Sequence, residues 1–197
     1  PFDRFAKTLQ TPSTELSKDG PISLSAQRGL KLFIGKGGCN LCHTGPNFSD
    51  SEFHNTGLPL LAGASPDVGR MTGIDSVLSD IFNGLGVYSD DTSQKTNAHL
   101  HFLNKNPANL GAFKTPTLRE IASNPPYMHD GRFPSLEEAV TFYSELPGTP
   151  PIGHREESLK PLQLTKQEIA DLVAFLKTLS ADPPPPDLTR QPLSPKL

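Results

Sequence analysis

The sequence predicts a mainly α-helical domain with long loops and little or no sheet. Three observations lead to this. Ser135 to Glu138 and Thr165 to Glu168 are capping boxes, each opening a run with helical apolar spacing. A third amphipathic run, near residue 25, stops at a glycine cluster. Between these runs the chain carries most of its 21 prolines and 16 glycines, which break regular elements and leave loops that need something to pack on. The 35% hydrophobic content and net charge of -3 fit a soluble globular chain. No basic run marks a nucleic-acid face, and no apolar run is long enough to span a bilayer.

In chain order, residues 1–23 read as an extended, proline-punctuated segment suited to an interdomain contact. Ser25 is the expected cap of a helix with Ala26, Leu30, Phe33 and Ile34 on one face, ended by Gly35, Gly37 and Gly38. Residues 44–75 have no sustained period. A short helix is expected over 74–85, with Ile74, Val77, Leu78 and Ile81 on one side. Residues 86–112 read as polar and irregular, with His99 and His101 as exposed loop histidines. The helix after Ser135 places Leu136, Ala139, Val140 and Tyr143 on one inward face. The helix after Thr165 carries the stripe Ile169, Leu172, Val173, Leu176 and Leu179. Residues 183–197 form a proline-rich tail expected to be polyproline-like. Residues 24–182 are thus the expected domain.

The chemistry lies in the only two cysteines, in Cys39-Asn40-Leu41-Cys42-His43. A Cys-x-x-Cys can be a redox disulfide, half of a zinc site or a haem attachment site. A thioredoxin-type site wants a βαβ context, and here the motif follows a helical pattern. A zinc site wants a second ligand pair, and His43 and His54 fit no usual finger. Two residues between the thiols let both reach the vinyl positions of one porphyrin, and the adjacent His falls beneath the iron. The motif therefore predicts one covalent haem c, held by Cys39 and Cys42 with His43 as proximal ligand, in a cytochrome c-like helical haem domain. Such attachment implies export to the periplasm. The opening PFDRF has no export-signal pattern, so the chain reads as a mature product or a piece of a longer one.

The second axial ligand sets potential and reactivity. Of the two methionines, Met71 lies in a glycine-flanked loop. Met128 lies in the stiff loop Pro125-Pro126-Tyr127-Met128-His129-Asp130-Gly131, the kind of late loop that supplies a ligand in small electron carriers. Met128 leads on spacing, His129 competes, and Tyr143 is a third candidate because its helix face points inward.

Several segments together resemble the bacterial di-haem cytochrome c peroxidases and their MauG-type relatives. They are Arg28-Gly29-Leu30-Lys31-Leu32-Phe33, Gly45-Pro46-Asn47-Phe48-Ser49-Asp50, Phe53-His54-Asn55-Thr56-Gly57, Asp67-Val68-Gly69-Arg70, Phe113 to Arg119, and Pro126 to Gly131 running on into Leu136 to Val140. They resemble the C-terminal haem domain of that family, in which a six-coordinate haem relays electrons to a peroxide-reacting haem in the N-terminal domain. The resemblance implies a distal ligand at the position of Tyr143 rather than Met128. It also implies a second haem-bearing domain or chain as partner, and a redox-protein electron donor or a protein substrate. An interdomain calcium, held by backbone carbonyls, would correspond to Asn124 and Pro126. The chain departs from the family in its longer 86–112 segment and its single haem motif. The resemblance identifies no catalytic residue here.

Overall fold

The computed structural model describes residues 1–9, 18–186 and 188–189. Five α-helices are joined by long loops and short 3-10 turns: α1 (Phe2–Thr8), α2 (Leu24–Ile34), α3 (Arg70–Ser79), α4 (Leu136–Glu145) and α5 (Lys166–Lys177). One antiparallel pair, β1 (Phe53–His54) with β2 (Phe113–Lys114), completes the regular structure of the described residues. The mainly α expectation holds.

Both capping boxes form. The Ser135 and Thr165 hydroxyls accept from the backbone N–H of Glu138 and Glu168, whose carboxylates return to the cap N–H groups. Helix α5 is the spine of the core. Leu172, Val173, Leu176 and Leu179 are buried as its period predicts, and Phe175, outside that stripe, is fully buried. The Phe175 ring has the rings of Phe2, Phe33 and Phe48 around it at 5.0–6.3 Å between centroids. A side chain of this size contributes about 1.5–3 kcal/mol on full burial.

Helix α2 crosses α5 closely because Gly29 faces it. A Cβ at Gly29 would collide with the Asp171 carbonyl oxygen and crowd the Phe175 Cβ. Beside this crossing, buried Asp171 accepts from Arg28 Nε and Nη2 at 2.7 and 2.8 Å and from the Ser25 hydroxyl at 2.5 Å.

Several local expectations change. Helix α2 is capped by Ser23, which accepts from the Ala26 N–H, because Ser25 lies inside the helix and turns to Asp171. Ile34 is 58% exposed at the fraying end of α2. Residues 2–8, expected to be extended, form a helix that docks Phe2 beside Phe48 and Phe175, and Phe5 beside Ile22 and Ala26. Its cap is Pro1, which has no side-chain acceptor to announce it. Helix α3 spans Arg70–Ser79 rather than 74–85; Ile74 is buried, whereas Val77, Leu78 and Ile81 are exposed. The 86–112 segment contains 3-10 turns at Ala98–Phe102 and Pro107–Asn109, and His99 and His101 are exposed on the first. Most of the proline-rich tail expected over 183–197 lies outside the described residues.

Candidate haem site

The glycine-rich end of α2 leads directly into the 3-10 turn Cys39–Leu41, so both thiols emerge from one compact turn. The His43 N–H closes that turn on the Cys39 carbonyl at 2.9 Å. The following loop is pinned from two sides. Ser49 Oγ donates to the Thr115 carbonyl at 2.7 Å, and Thr117 Oγ1 donates to the Asn47 carbonyl at 2.6 Å. Phe48 anchors it by setting its ring into the aromatic core while its carbonyl turns back to the motif.

That carbonyl orients His43. His43 Nδ1 lies 2.9 Å from the Phe48 oxygen. A carbonyl can only accept, so Nδ1 carries the proton and Nε2 keeps its lone pair, the arrangement a metal-binding imidazole requires. Burial pushes the His43 pKa below its ordinary value, against the opposing pull of the Phe48 carbonyl and Asp50, which favours this neutral form. Cys39 and Cys42 are free thiols. Burial pushes Cys39 up to about 11 and raises Cys42 as well, so both are protonated at neutral pH. Thiols beside a neutral imidazole, at two-residue spacing on one turn, fit a covalently attached haem.

Tyr143 reaches the same region from α4, a hundred residues later. Leu136 and Val140 belong to the main core, while Phe142 and Leu146 form a second cluster with Leu58. Tyr143 packs on that second cluster, its ring 5.3 Å from that of Phe142. Its phenol pKa is pushed upward, first by burial and then by the nearby Cys39 and Cys42 sulfurs. The phenol thus lies in the neighbourhood of the haem motif. Met128 packs on the same cluster from its loop, with positive φ. His129, the other loop candidate, stacks on the Phe113 ring at 3.6 Å. Asn124 and Pro126 lie on the exposed approach to this loop.

Two features escaped the sequence. Cys42 Sγ, an Asp50 carboxylate oxygen and a His54 ring nitrogen lie within 4.8 Å of one another. Both His54 nitrogens are engaged by carboxylates, Nε2 with Asp50 and Nδ1 with Glu156, each at 2.9 Å. Burial opposes protonation of His54, but the Glu156 and Asp50 hydrogen bonds outweigh it and raise its pKa. The cluster is thus an imidazole clamped between two carboxylates that favour its protonated form, beside the haem motif. The second feature is Arg155, whose guanidinium meets only backbone carbonyls among the described residues. Neither was legible, because Glu156 and Arg155 lie about a hundred residues from the partners they meet near His54.

No family model matches the chain. Among curated relatives, it is 38% identical over 190 residues to the cytochrome-c peroxidase IdrP1 of Denitromonas iodatirespirans, a match covering 93% of this chain and 45% of the relative. It is 34% identical over 187 residues to the methylamine utilization protein MauG of Methylorubrum extorquens, covering 93% of this chain and 40% of that protein. Among solved structures, a MauG-like protein associated with microbial copper homeostasis superposes with a TM-score of 0.58 at 28% identity, over 92% of this chain and 53% of that one. The chain therefore spans about half the length of the relatives it matches, an extent that fits their C-terminal haem domain. The helical fold, the haem-attachment turn and these likenesses together make the chain a member of the bacterial di-haem cytochrome c peroxidase/MauG family.

Proposed function

We propose that this chain is the electron-relay haem domain of a peroxide-dependent di-haem oxidoreductase. In this reading Cys39 and Cys42 would hold one haem c, and His43 and Tyr143 are the residues that would ligate its iron. The observation that carries the reading is the haem-attachment turn itself, with His43 Nδ1 held on the Phe48 carbonyl and Nε2 left free to bind a metal, and buried Tyr143 in its neighbourhood on α4. When bound, the haem supplies one-electron chemistry, and a tyrosinate ligand biases it toward the ferric state and a low potential. The chain supplies orientation: the Phe48 carbonyl fixes the His43 tautomer, and the buried Leu58, Phe142 and Leu146 cluster packs against Tyr143. Burial holds the Tyr143 phenol protonated unless a cation compensates its charge.

The whole protein's partners follow from the same reading. A second haem, in a further domain or a separate chain, would react with peroxide. The oxidised partner would be a small redox protein or, as in MauG-type chemistry, a protein substrate. The compartment would be the periplasm; no helix of the described residues is long and apolar enough to cross a membrane. A calcium ion bound through the Asn124 and Pro126 carbonyls would join the two haem domains.

One observation favours a second reading. Met128 packs on the same cluster as Tyr143, as a His–Met electron carrier would require. Spectroscopy of the haem-loaded chain separates the two. Tyr143→Phe is expected to change the ferric spectrum and raise the midpoint potential, while Met128→Leu leaves both near wild type. A near-infrared methionine-to-iron band in the wild type, lost in Met128→Leu, would transfer the distal ligand to Met128.

A further inference from the structure

Arg155 ties the segment after His54 to the residues that follow α4. Its Nε donates to the Thr56 carbonyl at 3.3 Å and its Nη2 to the Gly57 carbonyl at 3.2 Å. The same guanidinium reaches the Gly148 carbonyl at 3.1 Å and, more weakly, those of Leu146 and Pro147 at 3.5 Å. The first pair belongs to the segment that runs on from His54, beside the haem-attachment turn. The second group is the cap residue Leu146 and the loop that leaves α4 after it, within five residues of Tyr143. Gly57 is shaped to this contact: its φ is +70°, and a Cβ there would lie 2.5 Å from Arg155 Nε.

The chemistry suits a clamp. Helix C-termini present carbonyls without intrahelical partners and a negative dipole end, and a cation satisfies both. A guanidinium offers five donors in a fixed plane, so it can hold two chain segments at a set separation where a lysine ammonium cannot. Glu156 extends the link: its N–H donates to the Asn55 carbonyl at 2.8 Å and its carboxylate holds His54.

We infer that Arg155 is a positioning residue for the distal iron ligand, fixing the Tyr143 end of α4 against the segment beside the His43 loop. This rests on Tyr143 being that ligand. Without the clamp the packing of Leu58 against Phe142 and Leu146 is left to hold the end of α4 to the 56–57 segment, so the position of Tyr143 is the one most exposed to the change.

The test uses the haem-loaded chain as wild type, Arg155→Gln, Arg155→Lys, Tyr143→Phe, and a core control, Val173→Ala. Ferric spectra, cyanide association rates and thermal midpoints are measured for each. Arg155→Gln should move the ferric spectrum toward that of Tyr143→Phe and speed cyanide binding about tenfold, the scale of losing a charge-assisted hydrogen bond. Arg155→Lys should fall between Arg155→Gln and wild type. Val173→Ala should lower the thermal midpoint while keeping the wild-type spectrum and rate. A wild-type spectrum and cyanide rate in Arg155→Gln overturn the inference, as does a matching change in Val173→Ala. Where Arg155→Gln gives no folded holoprotein, Arg155→Lys decides: faster cyanide binding supports the clamp, and a wild-type rate overturns it. Identical spectra for wild type and Tyr143→Phe overturn the ligand assignment itself and this inference with it. A distinct Tyr143→Phe beside an unchanged Arg155→Gln overturns the role of Arg155 alone.

Discussion

Asp171 is a carboxylate whose side chain is only 4% exposed, and its charge is tolerated because every neighbour answers it. The bidentate Arg28 guanidinium comes first, then the Ser25 hydroxyl and the Gln167 amide, and together they hold its pKa down to about 2. The sign of the pH effect follows. A carboxylate with a pKa of about 3.9 in the unfolded chain and a lower one when folded contributes stability that is fully present above pH 4 or so. That contribution is lost as pH falls through the folded value near 2. Asp171→Asn should therefore cost about 1.5–3 kcal/mol near neutrality, the scale of hydrogen bonds to a charged group. The gap from wild type should narrow between about pH 4 and pH 2. Denaturant unfolding of both proteins across that range measures it, and a gap independent of pH would contradict the charged role given to Asp171. The carboxylate stands where α2 crosses α5, so its loss loosens the helix that delivers Cys39.

At the scale of elements, the α2–α5 crossing depends on an atom that is missing. Gly29→Ala places a methyl group against backbone, at the Asp171 carbonyl, where no rotamer change relieves it. The substitution should destabilise the fold by about 1–3 kcal/mol or more despite alanine's better helix propensity. A lowered thermal midpoint in Gly29→Ala checks this; an unchanged one would mean that the helices can separate without penalty. This crossing also shows what the sequence could reveal. Helices α4 and α5 were legible because Ser135, Glu138, Thr165 and Glu168 act on their own turns, and local chemistry is written locally. Helix α1 was not, because it has seven residues and is held by Phe2 and Phe5 against residues far along the chain. The α3 region misled for the opposite reason: Val77, Leu78 and Ile81 carry a helical period but face solvent. In the site, the haem motif is contiguous and could be read directly. Arg155 and Glu156 reach the 54–57 segment through tertiary contacts that no window of sequence contains, although the Asp50–His54 half of the cluster is local.

For the whole molecule, the proposed ligation has a consequence for activity. If His43 and Tyr143 are both ligands of the haem iron, they would leave it no open position for peroxide. Under the proposed ligation a second haem-bearing partner would supply the site that meets peroxide, and the relatives this chain matches are about twice its length. Under this reading the haem-loaded chain alone should show a complete ferric spectrum and reversible reduction, yet consume no peroxide above the rate of free haem. Stopped-flow mixing with peroxide, followed by steady-state turnover with a reduced small cytochrome as donor, measures both. Adding a haem-bearing N-terminal half from a relative such as IdrP1 should restore turnover in proportion to complex formed. Sustained peroxide consumption by the isolated chain would mean that its iron keeps an open face. Tyr143 would then be a buried tyrosine beside the haem rather than its ligand, and the domain a peroxidase centre in its own right.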